Sequence, residues 1–141
     1  MEDSQDLEHL RLLSIFHYVV GGIGALFALF PIIHLLLGLA FIFSPETFPD
    51  SNTGEPPPQF VGYLFAALGG LFFILGEIFA FLVIYSGIQI KKRKKYTFSF
   101  VIACILCMFI PFGTALGIFS IIVLSRNSVK QIYGKTVPAG Q

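Results

Sequence analysis

The chain has 141 residues, of which 55% are apolar and only 12% are charged, and its mean hydropathy is +0.83. Ordinary soluble domains carry about 25% charged residues, so this composition excludes a soluble globular protein. The formal net charge is +1, but acidic residues open the chain and basic residues gather in its middle and at its end, so the distribution is more informative than the sum.

The first predicted elements are an interfacial helix over 1–13 and a first membrane span over 14–43. Residues 7–13 alternate charged and apolar groups at helical spacing, which is typical of a helix lying at a membrane surface. The following apolar run, at 1.5 Å per residue, gives a helix of about 45 Å, longer than the hydrocarbon core of about 30 Å. The span is therefore expected to tilt, or to kink at Pro31.

The segment 44–59 is predicted to be an exposed loop. It holds five prolines and three carboxylates and has no Lys or Arg, a composition that suits neither a helix nor a membrane core. Its run of three prolines, 56–58, favours an extended polyproline linker.

A second membrane span is predicted over 60–90, with Tyr63 and Tyr85 near its ends, as interfacial aromatic residues tend to be. The loop over 91–96 follows, and its basic residues are Lys91, Lys92, Arg93, Lys94 and Lys95. Because short loops rich in Lys and Arg stay cytoplasmic, this loop and the N-terminus are expected inside, and the loop over 44–59 outside. The basic loop is also expected to contact anionic lipid headgroups, and no nucleic acid.

The last apolar stretch, over 97–125, has two interpretations that place the tail over 126–141 on opposite sides of the membrane. One kinked helix would put Arg126, Lys130 and Lys135 outside. A short helical hairpin would return all three to the inside, which the positive-inside rule favours.

Local sequence also favours a hairpin, broken at 110–114. Pro111 disfavours a helical residue before it, Gly113 tolerates a positive φ, and Thr114 can cap a second helix. Length opposes the hairpin, since arms of about 14 residues are only about 21 Å long and their tip would lie within the bilayer. Both interpretations give an all-α integral membrane protein, a small helical bundle with two long transmembrane helices.

Small residues recur four apart in four places, a spacing that lets helices approach closely in lipid. Such faces predict a compact bundle or a homo-oligomer without distinguishing the two. The pairs are Gly24 with Ala28, Ala66 with Gly70, Gly76 with Ala80, and Gly113 with Gly117.

Glu77 is the most unusual residue, because a carboxylate near the middle of a span costs about 2.5–3.5 kcal/mol on insertion scales unless it is protonated, paired or facing water. Two interpretations are open. One is proton or cation handling with His34, which lies past the middle of the first span. The other is a structural hydrogen bond to a neighbouring helix.

The remaining polar residues predict no metal, cofactor or catalytic site. The three histidines lack metal-ligand spacing, and His17 is expected at the membrane interface beside Tyr18. Cys104 and Cys107 lie in an apolar run, where thiols act as small packing residues. No paired acid and base or activated nucleophile is present, so no enzyme is expected.

The C-terminal third resembles an uncharacterised family of small bacterial multi-pass inner-membrane proteins. Their last segment has a basic start followed by Tyr or Trp, a P-x-G-T-x-L-G-[aromatic] centre and a V-L end. The residues that carry the resemblance are Lys95 to Phe98, Ala103, Cys107, Pro111 to Phe119 and Ile122 to Leu124, with looser likeness at 10–18 and 30–34. It implies an inner-membrane location and brings no functional residue.

The expected function is therefore non-catalytic. The sequence favours a structural or accessory subunit that packs against itself or against a larger membrane complex. The alternative is a small proton- or ion-handling pore or transporter component centred on Glu77.

Overall fold

The protein is all-helical in its described residues. The structure is a computed structural model that describes residues 2–50 and 54–134. This part of the chain is 82% helix and contains no strand, which confirms the all-α class. The helices in chain order are α1 (Glu2–Ala28), α2 (Pro31–Phe43), α3 (Gln59–Lys91), α4 (Tyr96–Leu106), α5 (Phe112–Ser125) and α6 (Asn127–Ile132), with a 3₁₀ turn at Pro45–Thr47 after α2.

Two stretches are long and apolar enough to cross a membrane, judged by length and composition alone. They are Ser4–Phe43, which contains α2 and most of α1, and Gln59–Lys91, which is α3. Helices α4 and α5 are apolar but shorter.

The N-terminal part of the chain differs from the predicted division at residues 13 and 14. Helix α1 is continuous from Glu2 to Ala28, so the predicted interfacial segment is the first part of one long helix. The predicted kink is a two-residue break, after which Pro31 is the first residue of α2. Proline is tolerated there because the first helical residue needs no intrahelical donor.

The chain divides into two compact units, each described by itself. The terminal unit comprises Met1–Ile23 and Phe81–Gln141, and the central unit comprises Gly24–Ala80. The tail from residue 135, which includes Lys135, lies outside the described residues.

In the central unit, two of the predicted small-residue pairs pack on each other. A Cβ built on Gly24 would lie 3.9 Å from the Ala80 Cβ, and one built on Gly76 would lie 2.8 Å from the Ala28 Cβ. The pairing is antiparallel and lies within one chain, so these residues serve the protein's own helix packing.

Helices α2 and α3 approach more closely, through glycines that the predicted spacing did not include. A Cβ on Gly38 would overlap the Ala66 backbone nitrogen, and one on Gly69 would overlap the Leu35 backbone nitrogen. By contrast, a Cβ on Gly70 would be 3.8 Å from a Leu35 methyl group, an ordinary contact. Ala66 thus lies at the close approach of the two backbones, whereas Gly70 makes an ordinary contact with the Leu35 side chain at the edge of this approach.

The last apolar stretch is a hairpin of two antiparallel helices in the terminal unit. A Cβ on Gly117 would lie 2.6 Å from the Ala103 carbonyl oxygen, and one on Gly113 would lie 2.7 Å from the Leu106 carbonyl oxygen. The predicted Gly113 and Gly117 face is therefore the contact between α4 and α5, and one kinked helix is excluded.

The break in this hairpin lies slightly earlier than predicted. Helix α4 ends at Leu106, α5 begins at Phe112, and the Ile110–Pro111 peptide bond is cis. The prediction that Thr114 caps α5 is wrong, since its hydroxyl donates to the Cys107 carbonyl at 2.9 Å and the cap position belongs to Pro111. The Thr114 side chain therefore ties the turn to the end of α4.

The predicted loop after α2 is present, apart from its 3₁₀ turn, and residues 51–53 lie outside the described residues. The Asp50 amide donates to the Glu55 carbonyl, and the Gly54 amide donates to the Asp50 carbonyl. The Phe41 and Phe48 rings meet edge to face with centroids 4.8 Å apart and fix the loop on α2.

Candidate functional site

The structure does not bring together the two residues of the predicted intramembrane site. The His34 ring stacks on Phe65, with centroids 6.0 Å apart, and its backbone faces Gly69. Glu77 lies eight residues beyond Gly69 on α3, which is about 12 Å along the helix axis. The predicted association of Glu77 with His34 is therefore wrong.

Glu77 and His34 also have different surroundings. Glu77 is half-buried and makes no hydrogen bond or ion pair within the described residues. His34 is exposed and lies in an apolar groove of about 250 Å³ together with Phe30, Phe65 and Phe72. The other residues that line the groove around His34 are apolar.

The buried polar side chains are concentrated in the terminal unit instead. Seven polar or charged residues there are at most 7% exposed, and they come from α1, α3, α4 and α5. They are Asp6, Ser14, His17, Ser86, Gln89, Ser99 and Ser120.

His17 is at the centre of this group and is fully buried. Its Nδ1 lies 2.9 Å from the Leu13 carbonyl oxygen, which can only accept, so Nδ1 carries a proton and donates it. The other ring nitrogen, Nε2, is buried and has no partner within the described residues. Helix α1 turns His17 toward Gly87 of α3, and its predicted position at the membrane interface stays a prediction.

Two serine residues, Ser14 and Ser86, lie close to His17 along the helix axes. Ser14 donates to the Gly87 carbonyl at 2.8 Å, and a Cβ on Gly87 would lie 3.0 Å from the His17 Cβ. Ser86, the residue before Gly87, has a buried hydroxyl that finds no partner in the part of the chain that the structure describes.

Ser99 and Ser120 belong to this level because of the helix register. Tyr85 and Phe98 meet with ring centroids 5.5 Å apart, which sets Ser99 of α4 level with Ser86 of α3. The α4–α5 hairpin then places Ser120 opposite Ser99. Ser120 donates to its own helix at the Leu116 carbonyl, whereas the Ser99 hydroxyl is buried without a partner among the described residues. We call His17, Ser14, Ser86, Ser99 and Ser120 the polar layer.

The sequence contains a signal for the polar layer that the prediction from single residues does not use. Ser14 and His17 are three residues apart on α1, and Ser86 and Gln89 are three apart on α3, so each pair shares one helix face. Single serines in apolar runs are common, and only the pairing of faces distinguishes these.

The basic turn, Lys91 to Lys95, reverses the chain between α3 and α4. The Lys94 amide donates to the Gln89 carbonyl and the Arg93 amide to the Ile90 carbonyl, which is a Schellman C-cap. Arg93 and Lys95 have φ of 53° and 51°, the left-handed region that usually favours glycine. All five side chains are exposed, and the Lys95 ammonium donates to the Tyr85 hydroxyl at 3.1 Å.

The first turns of α1 and the end of α5 meet at the same end of the terminal unit as the basic turn. Arg126 forms a 3.0 Å ion pair with Asp6, which also accepts a hydrogen bond from Ser128. The Tyr96 hydroxyl donates to the Leu124 carbonyl at 2.8 Å and so joins the two ends of the hairpin.

Tyr133 lies beside this junction, with its ring 5.5 Å from that of Tyr96. Burial is the main cause that raises the pKa of Tyr133 to about 12, and the neighbouring Tyr96 adds to it. The Arg93 guanidinium acts in the opposite direction. Burial also raises the pKa of Tyr96. Both phenols are therefore neutral hydrogen-bond donors at physiological pH.

Among the described residues, no three His, Cys, Asp or Glu side chains lie close enough together to hold a metal ion. Cys107 donates its thiol proton to the Ala103 carbonyl at 3.3 Å, and Cys104 is exposed on α4.

Comparison with protein-family models, curated proteins and solved structures finds no match to this chain. The resemblance of the C-terminal segment to small bacterial multi-pass proteins stays a prediction.

Proposed function

We propose that the protein is a small integral membrane protein with a non-catalytic role, a structural or accessory subunit of the bacterial inner membrane. The observation that carries this proposal is the inverted distribution of polarity. His17, Ser86 and Ser99 are fully buried, whereas Phe27 and Phe43 are 74% and 78% exposed. Water would penalise this arrangement, whereas lipid favours it, because apolar side chains can face lipid while polar side chains are kept away from lipid inside the bundle.

The charged groups support a single orientation. The Asp6–Arg126 ion pair and the Tyr96–Leu124 hydrogen bond gather the start of α1, the basic turn and the end of α5 at one end of the terminal unit. The positive-inside rule then makes this end cytoplasmic and the loop over 44–59 external.

The accessory role is supported by how the chain uses its small residues. The faces at Gly24, Gly38, Gly76 and Gly117 are occupied by the protein's own helices. Contacts with a second copy or with a larger membrane complex would therefore involve the large exposed apolar side chains instead.

Two measurements test this proposal. Membranes containing the protein are washed with alkaline carbonate, and the protein is expected to stay in the pellet; release into the supernatant contradicts insertion. The particle mass in a mild detergent or a lipid nanodisc is then determined by native mass spectrometry. A mass above one chain is expected if the protein associates with itself, and a single 15.6 kDa chain at all protein concentrations contradicts self-association.

A second candidate function, proton handling, is favoured by the polar layer rather than by Glu77. The His17 Nε2 and the Ser86 and Ser99 hydroxyls are buried without partners in the described residues. A neutral imidazole whose second nitrogen is an acceptor can take up and release a proton there.

Proton flux into proteoliposomes separates these two candidates. His17→Gln is expected to abolish a flux that passes through the polar layer, and Glu77→Gln to leave it unchanged. If only Glu77→Gln abolishes the flux, the proton pathway passes through Glu77, as the sequence-based alternative predicts. A wild-type protein without flux excludes proton handling.

A further inference from the structure

A hollow of about 560 Å³ lies between the basic turn and Tyr133, the residue that follows α6. Its charged lining residues are all cationic, namely Arg93, Lys94 and Lys95, and Tyr133 closes its other side. Lys95 is held by Tyr85, whereas Arg93 and Lys94 form no ion pair within the described residues. The hollow is therefore a concentrated positive site with two cations available to a ligand.

Tyr133 contributes a phenol to the lining of the same hollow. Its hydroxyl oxygen is buried and has no hydrogen-bond partner in the part of the chain that the structure describes. The Arg93 guanidinium is close enough to act electrostatically on this phenol. A neutral donor beside a cation is an arrangement that an anion with several acceptor oxygens satisfies.

The backbone contributes to the same field. Helix α4 begins at Tyr96 inside the hollow and has 11 residues, so the positive end of its dipole points toward the ligand position. The left-handed residues Arg93 and Lys95 bend the chain sharply, which brings three consecutive cations around this helix end instead of spreading them along α3.

We propose that Arg93, Lys94, Tyr133 and the start of α4 form a phosphate-binding site. Phosphate presents the tetrahedral set of acceptor oxygens that cations, a hydroxyl and a helix N-terminus bind together. An anionic lipid headgroup is the source that a cytoplasmic membrane surface offers, and in that form the inference depends on the proposed membrane insertion.

The experiment is lipid binding by the purified full chain in detergent, followed by native mass spectrometry with short-chain phosphatidic acid and with phosphatidylcholine. Arg93→Gln with Lys94→Gln removes two charges from the hollow. Lys91→Gln with Lys92→Gln is the matched control, since it removes two charges from the same turn outside the hollow. Tyr133→Phe removes the hydroxyl alone and keeps every charge and the buried ring.

A defined site and a diffuse basic surface give different results. Each cation near an anionic surface contributes about fivefold in affinity, so the Arg93 and Lys94 variant is expected to bind phosphatidic acid about 25-fold more weakly. The Lys91 and Lys92 variant is expected to lose about threefold or less, and Tyr133→Phe to lose about threefold to tenfold with an unchanged melting temperature. Equal losses in the two double variants, or no effect of Tyr133→Phe, overturn the site.

Inorganic phosphate and the carbonate wash distinguish the remaining outcomes. Inorganic phosphate that competes with the lipid, or binds alone with the same variant pattern, supports the site and identifies free phosphate as a ligand. A protein released by carbonate that still binds phosphate in this pattern contradicts the membrane proposal but not the site. A protein that stays in the membrane and binds neither probe overturns the site alone.

Discussion

Asp6 and Arg126 form an ion pair of 3.0 Å between groups 120 residues apart in sequence. The Asp6 carboxylate is 5% exposed and the Arg126 side chain is 41% exposed, so the pair connects a buried position on α1 with the surface end of the hairpin. His9, one turn after Asp6, also contacts the Arg126 guanidinium at 3.2 Å. These contacts make the start of α1 a structural part of the terminal unit.

Asp6→Asn is expected to lower the stability of the terminal unit by about 1 kcal/mol. The estimate is at the low end for a charged hydrogen bond because water screens the half-exposed Arg126. Thermal unfolding in detergent measures the change, and Glu8→Gln is the matched control, since Glu8 is exposed on the same helix. Equal melting temperatures for the two variants would mean that the ion pair contributes no stability.

Tyr133 is expected to titrate last among the tyrosines whose pKa values are raised, near pH 12. The chain contains five tyrosines and no tryptophan, so ultraviolet absorbance of phenolate follows the titration directly. Tyr133→Phe should remove the most alkaline step.

The same shift has a consequence for stability. The folded pKa of Tyr133 lies above the ordinary value of 10.0, so its contribution is complete below pH 10 and is lost as the pH rises toward 12. Wild-type protein should therefore lose stability over this range more steeply than Tyr133→Phe. Parallel curves for the two proteins contradict the burial of this phenol.

Gly117→Ala is expected to destabilise the hairpin by about 1–3 kcal/mol, because its new methyl group would overlap the backbone of α4. Gly22→Ala is the matched control, since a Cβ there meets nothing within 4 Å. Alanine at Gly22 is expected to be neutral or to stabilise α1 by up to about 1 kcal/mol. Thermal unfolding distinguishes the two, and similar effects would show that α4 and α5 are not in close contact.

The central unit offers a second matched pair in adjacent glycines. Gly69→Ala is expected to separate α2 from α3, because its Cβ would overlap the Leu35 backbone, whereas Gly70→Ala should be tolerated. The measurement is cross-linking between cysteines introduced at His34 and Phe65, whose rings stack with centroids 6.0 Å apart, in a background where Cys104 and Cys107 are alanine. If Gly70→Ala reduces cross-linking and Gly69→Ala leaves it unchanged, the assigned packing face is wrong.

Topology is tested by labelling single cysteines from each side of the membrane in the same alanine background. Thr47→Cys in the loop after α2 should react from outside, and Asn127→Cys after α5 should react only from inside. Both positions are exposed. Reaction of Asn127→Cys from outside would contradict the proposed orientation of the hairpin.

Helix content and the positions of the main breaks could be predicted from sequence because they depend on local chemistry. Proline at 31 and at 111 interrupts long apolar runs wherever it occurs, and the prolines and carboxylates after residue 44 exclude a helix there. The hairpin followed from the same reasoning together with the distribution of Lys and Arg. The cap of α5 could not be predicted in this way, because the Thr114 hydroxyl donates to the Cys107 carbonyl, an acceptor that only the folded turn brings close.

The all-α class, the two long apolar stretches and the location of the charges follow from the sequence, since each depends on residue type and on spacing along one helix. Which face of each helix is buried follows only from the packing of the helices. This packing separated Glu77 from His34, chose Gly69 over Gly70, and buried His17 among serines. In an apolar helix nearly every face has similar hydropathy, so the choice depends on how closely two backbones can approach, which a single helix does not encode.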